Sequence, residues 1–380
     1  MVSYVNPIRL LSTHKVSTSV SYDMLRIMKI LGIESSCDET AAAVVEDGKK
    51  LLSNVVASSM DLHARYGGVV PEIAARSHIE AIIPVIEQAL KKAKCTWQDI
   101  DAIAVTNGAG LLGSLLIGIL TARTLAIVTH KPLYAINHVE GHIYANFLTQ
   151  TTLPGYVLPT SEPKFPMLGA IVSGGHSQLV IWRNHFDYTL LGQTRDDAIG
   201  EAFDKVAKII GLPYPGGPSI AEAATRGNAQ AFQLPKARLT NKYDFSFSGL
   251  KTAVLRLAQE LVGKDYSLPS AALPDLLSTA QKHDIAASFQ RVACETIVDK
   301  IILATKEYNP ASVVIGGGVA ANSELRRQLA ERLPLPITYT DTKLCGDNGA
   351  MIATLGCYKA MFGQPTADPL LLEAKPNLSM

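Results

Sequence analysis

The feature that most constrains the fold is an alternation of short apolar segments with amphipathic ones, punctuated by tight glycine turns. Residues 30–33 and 41–45 have the pattern of paired strands, and residues 102–106 that of a third strand. Apolar residues recur at helical spacing over 73–93 and again over 114–129. This alternation is typical of layered α/β domains and not of a β-sandwich or a helical bundle.

A second set of elements repeats this order after a turn-rich stretch at 149–166. Its predicted strands lie at 167–172, 178–182 and 312–315, and its helices at 198–210, at 285–308 and from Ser323 onward. A last helix, 349–362, is expected to pack back onto the first domain. At 380 residues, two domains are the default expectation.

We therefore predict a first domain made of residues 28–135 with 349–380, and a second domain of residues 136–348. Residues 1–27 are predicted to be a disordered leader or extension. Their Ser- and Thr-rich composition with a single acid resembles a mitochondrial transit peptide. The alternative is an extension from an upstream start codon, because Met28 directly precedes the first strand.

Composition excludes several classes of protein. Hydrophobic residues make up 47% and charged residues 18% of the chain, as in ordinary globular proteins. The formal net charge of +1 argues against a wide basic surface that grips nucleic acid unaided. The five cysteines form no CxxC pair, which favours a reducing compartment such as the cytoplasm. No uninterrupted apolar run reaches the length of about 18 residues needed to span a membrane, so we predict no membrane association.

Three glycine or hydroxyl turns follow strand-like segments: residues 32–39, 172–176 and 315–318. Glycine allows backbone N–H groups to approach a phosphate closely. In the actin/Hsp70/sugar-kinase (ASKHA) class, two such loops from duplicated domains clasp phosphates, and a third glycine turn holds adenosine. The order here is the same, and the sequence contains no P-loop motif. We predict this two-domain α/β fold, with a nucleotide cleft between the domains.

His138 and His142 are spaced four residues apart. On a helix this spacing places both imidazoles on one face, where they can share a metal ion. A pair of this kind can also be purely structural, so a third ligand is needed, and Asp347 is the best candidate. Two imidazoles and a carboxylate suit iron(II) or zinc. Glu140 points about 200° around the helix from His138, so it cannot act as the general base of a zincin protease.

Motifs spread in order from about residue 28 to 360 resemble the TsaD family, formerly called O-sialoglycoprotein endopeptidases. The matching segments are GIESSCDET, YGGVVPEIAARSH, NHVEGH, IVSGGHSQL, GEAFDKVAK, YPGGP, DFSFSGLKT, GGGVAANSELR and CGDNGAM. One departure is Asn107-Gly108-Ala109-Gly110, where the family commonly has Gly-Pro-Gly. This difference removes no proposed ligand.

The resemblance implies an enzyme that transfers threonylcarbamoyl from threonylcarbamoyl-adenylate to N6 of adenosine 37, in tRNAs reading codons that begin with A, with release of AMP. It implies one divalent metal, iron(II) in preference to zinc, on His138, His142 and Asp347. It also implies the following contacts to the adenylate: Ile171, Val172, Ser173, Gly174, Gly175, Asp204, Gly217 and Asn322.

Adenosine N6 is a poor nucleophile, so a base is required, and Asp38 and Glu39 in the first loop are the candidates. The resemblance further implies a TsaB-like paralogue and a TsaE-like ATPase as partners of a bacterial protein. A mitochondrial protein would instead be a homodimer. The corresponding compartments are the cytoplasm or, if the leader is a transit peptide, the mitochondrial matrix.

Other functions remain open at this point. A small-molecule kinase or carbamoyltransferase on the same fold would use similar turns with a different acceptor. A metalloprotease is disfavoured by the position of Glu140, and a noncatalytic scaffold by the complete set of His138, His142 and Asp347.

Overall fold

The computed structural model describes residues 27–380, so the predicted leader lies outside the described residues except for Ile27. The first half of the chain forms a six-stranded mixed sheet in the order β5-β4-β1-β2-β3-β6. Its strands are β1 (Lys29–Glu34), β2 (Glu39–Glu46), β3 (Lys50–Ser58), β4 (Ala102–Gly108), β5 (Leu133–Asn137) and β6 (Gln150–Thr151). The accompanying helices are α1 (Met60–Ala64), α2 (Pro71–Ala93), α3 (Leu112–Thr129) and the short α4 (His138–Tyr144).

The central strands of this sheet are buried on both faces, which explains their almost continuous apolar sequence. Leu31 and Ile33 of β1 belong to the core that contains α2 and α3. Ile30, on the opposite face of the same strand, belongs to a core with Met351 and Leu355 of the C-terminal helix. The first sheet is therefore sandwiched between helices from opposite ends of the chain.

The second half forms a five-stranded sheet in the order β11-β10-β7-β8-β9. Its strands are β7 (Met167–Val172), β8 (Ser177–Asn184), β9 (Asp187–Gln193), β10 (Ser312–Gly316) and β11 (Ile337–Tyr339). Its helices are α5 (Ile199–Ile210), α6 (Gly216–Ala224), α7 (Ser248–Leu261), α8 (Leu273–Leu276), α9 (Thr279–Tyr308) and α10 (Ser323–Arg332), and the last helix is α11 (Gly349–Met361).

The strands and helices predicted from periodicity are confirmed, among them the antiparallel pair β1–β2 and the long helix α9. The first sheet extends further along the chain than the predicted boundary after residue 135. It includes β5 as far as Asn137, and β6 adds two residues that pair with β3. Helix α4 lies between these strands in sequence and packs on α11, β7 and β10, so it joins the two sheets.

The segment that follows α11, residues 364–380, runs back over the first sheet, and we call it the C-terminal strap. The Arg123 guanidinium donates hydrogen bonds to three backbone carbonyls of the strap, those of Pro369, Leu370 and Leu372. Further along, Lys375 N donates to Asn107 O at 2.6 Å. Near its end, Ser379 O accepts a hydrogen bond from Asn137 Nδ2 at 3.1 Å. The strap therefore reaches the residue that begins α4.

Among residues 27–380 one helix, α3, is long and apolar enough to cross a bilayer by length and composition, with a mean hydropathy of 1.8 over 18 residues. The small and polar residues that interrupt its apolar sequence do not interrupt the helix. Leu115, Ile119, Ala122 and Ala126 are buried against the sheet, so part of its hydropathy is explained by core packing.

Candidate metal centre and donor cleft

A cavity of about 820 Å³ lies between the two sheets. Most of the residues singled out from the sequence line it: Asp38, Glu39, His138, Ser173, Gly174, Gly175, Asp204 and Asp347. The glycine turn after β10 contributes Gly318. Segments distant in sequence thus meet in one cleft of the size usual for a small-molecule site.

Helix α4 positions the histidine pair. Asn137 caps its N-terminus, with its side-chain oxygen accepting from Val139 N at 2.9 Å. The imidazoles of His138 and His142 follow each other by one helical turn, with ring centroids 4.7 Å apart and the rings nearly perpendicular. Both side chains are buried, so their orientation is fixed by packing.

Asp347 completes the site from the other side of the cleft. Its Oδ1 lies 3.5 Å from Nε2 of His138 and 3.4 Å from Nε2 of His142. The loop that carries it is held by Asn348, whose amide donates to the carbonyls of Gly346 and Leu344 and whose oxygen caps α11. The predicted third ligand therefore faces both imidazoles.

The geometry and chemistry of these residues fit a divalent metal. One donor atom from each of His138, His142 and Asp347 lies within 4.8 Å of the others. Ligands about 2.1 Å from a tetrahedral ion lie about 3.4 Å from one another, close to the distances to Asp347 Oδ1. Both ring nitrogens of His142 are buried without a hydrogen-bond partner among residues 27–380. A buried imidazole without hydrogen bonds is energetically unfavourable unless a ligand or ion binds it.

A buried carboxylate fixes the orientation of His138. Glu34 Oε2 lies 3.1 Å from Nδ1 of His138, and the same oxygen accepts from Thr106 Oγ1 at 2.6 Å. Ser36 Oγ also lies 3.1 Å from Nδ1. With Nδ1 held in this way, Nε2 is left to face Asp347, which is the usual arrangement around metal-binding histidines.

The charged groups of this cluster strongly shift one another's pKa values. Burial lowers the pKa of His138, but the carboxylates of Asp347 and Glu34 outweigh it and raise that pKa to about 9. Burial also opposes ionisation of Asp347, yet His138 and His142 hold its pKa well below the usual range. Two buried carboxylates therefore stay ionised beside the imidazoles, and this negative environment favours a cation.

The turn between β7 and β8 forms a donor-rich wall of the cleft. Ser173 N donates to His176 O at 2.8 Å and closes the turn. The N–H groups of Gly174 and Gly175 donate to no described residue. A Cβ at Gly200 would lie 2.7 Å from Gly174 Cα, so glycine is required where the start of α5 packs on the turn. The turn is thus rigid, with backbone donors free for a phosphate or carbonyl oxygen.

The third glycine turn packs directly behind these elements. Gly317 has a φ of +97°, and a Cβ there would lie 2.4 Å from Val172 O. A Cβ at Gly316 would lie 2.4 Å from His142 O. Both positions need glycine so that β10 can approach β7 and the histidine helix.

Of the remaining residues that the resemblance assigns to adenylate binding, some line the cavity and others do not. Asp204 lines the cleft, and its Oδ1 accepts from Gly216 N at 2.7 Å, which leaves one carboxylate oxygen for a ligand. Ile171 and Val172 are buried in β7 beneath the turn and do not line the cavity. Gly217 is also outside the lining, although a Cβ there would meet open space.

Asn322 is occupied by structural hydrogen bonds. Its Nδ2 donates to Gln290 Oε1 at 2.9 Å, and its Oδ1 caps α10 through Leu325 N. It lies outside the cavity lining. In this conformation one amide N–H and the amide oxygen are engaged within the fold.

Burial shifts the pKa values of two titratable groups in the first loop. Burial, with the nearby charges of Asp347 and Asp38, raises the pKa of Glu39 to about 10. Burial, reinforced by Asp38, also raises the pKa of the neighbouring Cys37 thiol. Cys37 is therefore unsuited to act as a thiolate nucleophile.

Glu140 lies away from the centre, as the helix geometry predicts. It does not line the cavity, and burial raises its pKa to about 7 against the opposing charge of Lys359 in α11. A zincin-like role has no structural basis.

Glu34, Ser36, His176 and Tyr214 belong to the site but are not predicted from the sequence. His176 and Tyr214 line the cavity, and burial lowers the pKa of His176 to about 4, which leaves its ring neutral. Glu34 ends a strand whose residues between Lys29 and Glu34 are apolar. Acidic residues are rarely buried without a specific partner, so this position is the sequence signal that could identify Glu34.

Comparisons with known proteins agree with this site. Residues 50–354 match the model of the TsaD family, described as tRNA N6-adenosine threonylcarbamoyltransferase. A protein of that name from Thermomicrobium roseum is 51% identical over 343 residues, which are 88% of this chain and 93% of the relative. Another from Dehalococcoides mccartyi is 48% identical over 93% of this chain and 99% of the relative.

Among solved structures, HypF from T. kodakarensis superimposes with a TM-score of 0.57, covering 91% of this chain and 49% of that protein at 13% identity. Full-length HypF in a phosphate- and nucleotide-bound form gives 0.53 at 14% identity, over 87% of this chain and 55% of that one. Identities this low show the fold alone, and the fold is the two-domain α/β architecture of the ASKHA class. The chain therefore belongs to the TsaD family of tRNA N6-adenosine threonylcarbamoyltransferases, and its reaction is the transfer of a threonylcarbamoyl group to N6 of an adenosine in tRNA.

Proposed function

We propose that the cleft carries out this reaction with threonylcarbamoyl-adenylate as donor, adenosine 37 as acceptor and a divalent metal on His138, His142 and Asp347. Iron(II) is favoured and zinc is the alternative. The observation that carries the proposal is the convergence of the three donor atoms within 4.8 Å, beside a turn with free backbone N–H groups.

The chain's own residues account for binding and orientation. The N–H groups of Gly174 and Gly175 bind phosphate or carbamoyl oxygens, and the free oxygen of Asp204 accepts from a ribose hydroxyl. Glu34 holds the His138 ring so that Nε2 faces the cleft. When bound, the metal supplies electrophilic polarisation of the donor carbonyl.

Asp38 and Glu39, the two acids of the first loop, have different proposed roles in proton transfer. We assign Asp38 the role of accepting the proton lost from adenosine N6, because it lines the cleft. We assign Glu39, whose pKa is raised by burial and by the charges of Asp347 and Asp38, the donation of a hydrogen bond to the departing AMP. The N6–carbon bond forms while the bond between that carbon and the AMP phosphate oxygen breaks.

Labelled threonylcarbamoyl-adenylate distinguishes this function from a small-molecule transferase on the same fold. The purified protein is incubated with the donor and unmodified tRNA, with tRNA carrying guanosine 37, or with small alcohols and amines. We expect label only in tRNA with adenosine 37, together with AMP. Label only in small acceptors would overturn the proposal.

A TsaB-like paralogue and a TsaE-like ATPase are the proposed partners, in the cytoplasm. Support comes from the bacterial origin of the relatives and from two neighbouring helices that expose apolar rows. Ile79 and Ile83 of α2 are 61% and 51% exposed, and Leu112, Leu116 and Leu120 of α3 are 54%, 39% and 51% exposed. We assign this surface to the paralogue.

Light scattering coupled to size-exclusion chromatography tests the assignment. The double variant Ile83→Lys/Leu120→Lys should lose binding to the paralogue, while Tyr266→Lys, at an exposed apolar residue of the second half, should retain it. A homodimer that forms without the paralogue would contradict it.

A further inference from the structure

A second, smaller cavity of about 340 Å³ adjoins the cleft, and we call it the amide pocket. One wall is formed by Gln178 and Gln193, which are paired across β8 and β9, and the other by residues 376–379 of the C-terminal strap. Ala109, Gly175 and His176 line both cavities. The amide pocket is therefore an extension of the catalytic cleft on the far side of His176.

Ser177 and Thr194 of its lining make hydrogen bonds within the fold, whereas its three side-chain amides leave hydrogen-bonding groups unused. Gln178 is 5% exposed, and its Oε1 is buried with no hydrogen-bond partner among residues 27–380. The side-chain amides of Gln193 and Asn377 also make no hydrogen bond to any described residue. An unpaired buried amide oxygen is costly, so a partner entering this pocket is the expected source of the missing hydrogen bond.

The lining selects the chemistry of that partner. It contains no lysine, arginine, aspartate or glutamate among the described residues, so no charged side chain there would pair with a phosphate or a carboxylate. Side-chain amides carry both donors and acceptors and pair with the edges of nucleobases. An imidazole such as His176 offers a face on which a base can stack. The volume lies at the lower end of the range for small-ligand pockets, about 300–1,000 Å³, which suits one base.

We propose that the amide pocket receives the acceptor adenine of the tRNA, turned out of its loop, with Gln178, Gln193 and Asn377 bonding its edge and N6 directed past His176 into the cleft. This inference rests on the proposed function, and it assigns acceptor recognition to a surface shared by the second sheet and the strap. Enzymes that modify a base commonly extract it from its stack in this way.

Steady-state kinetics with the full-length protein test the proposal. The variants are Gln178→Leu and Asn377→Ala, and Gln230→Leu, an exposed glutamine outside both cavities, is the control for the glutamine change. At saturating donor, kcat/KM for tRNA should fall at least about 10-fold in both pocket variants. At saturating tRNA, the KM for threonylcarbamoyl-adenylate should change less than about 2-fold.

Each alternative explanation gives a different experimental result. Gln178→Leu removes an unpaired buried atom, so its melting temperature should not fall; if it does, Asn377→Ala on the exposed strap carries the test. A raised KM for the donor with unchanged tRNA kinetics would overturn the proposal in favour of a threonyl subsite. Wild-type behaviour in both assays would overturn it in favour of a water-filled cavity. If the wild-type protein transfers no label to tRNA, the proposed function itself fails, which is a distinct result.

Discussion

Glu34 Oε2 lies 3.1 Å from Nδ1 of His138, and on the opposite side of the ring Nε2 lies 3.5 Å from Asp347. The strand that opens the first sheet thus orients a predicted metal ligand on a helix 104 residues later.

The first prediction concerns this contact. Glu34→Gln leaves the shape of the site but removes the charge that orients His138, so metal affinity should fall by about 10–100-fold. Cobalt titration followed by absorbance measures the affinity directly. Glu46→Gln, at a surface ion pair with Lys50, is the control. Unchanged cobalt affinity in Glu34→Gln would show that the contact does not act on the metal.

The second prediction separates the two acids of the first loop. The raised pKa of Glu39 suits a hydrogen-bond donor, and glutamine also donates, so Glu39→Gln should retain most of the activity. Asp38→Asn removes the proton acceptor and should lower kcat by about 100-fold or more. Single-turnover transfer to tRNA measures both. Equal losses in the two variants would contradict this division of roles.

The helix cap at Asn137 provides the third prediction. Its oxygen caps α4 while its amide donates to Ser379 O in the strap. Asn137→Ala should lower the free energy of unfolding by about 1–2 kcal/mol in urea titrations. Asn137→Ser keeps a side-chain oxygen that can cap the helix and removes the amide donor, so it should cost less. If the two substitutions destabilise equally, the cap is not the source of the effect.

The fourth prediction concerns pH. His185 stacks on Tyr358 and Phe362, and burial lowers its pKa from 6.5 to about 4, with Glu162 opposing the shift. The folded state therefore binds fewer protons than the unfolded state between these values. Stability that is present above pH 6.5 should be lost as the pH falls towards 4.

His185→Phe should lose less stability than the wild type over that pH range, as measured by melting temperature. The same substitution at half-buried His283 serves as the control. Parallel pH profiles for the wild type and His185→Phe would contradict the prediction.

The sequence predicts the fold well where the information is local. Apolar periodicity locates β1, β2 and α9, and the four-residue spacing of His138 and His142 identifies their shared face. The glycine turns were identified because each follows an apolar strand. Two of the predicted metal ligands, His138 and Asp347, and the glycine turn at 173–175 line one cleft.

The features that the sequence does not predict depend on packing between residues far apart in the chain. The Glu34–His138 contact and the strap that reaches Asn137 join residues far apart in the chain, and no local period reveals such pairs. The hydrogen bond by which Asn322 binds Gln290 also joins residues that no local pattern pairs.

The most direct test of the central claim is to measure metal content and threonylcarbamoyl transfer together in His142→Ala, with melting confirming that the fold is intact. The account predicts loss of bound metal and at least about a 100-fold loss of transfer, since removing a ligand should exceed the effect of removing its orienting partner. His283→Ala should leave both unchanged. Full transfer by metal-free His142→Ala would contradict the metal-centred mechanism.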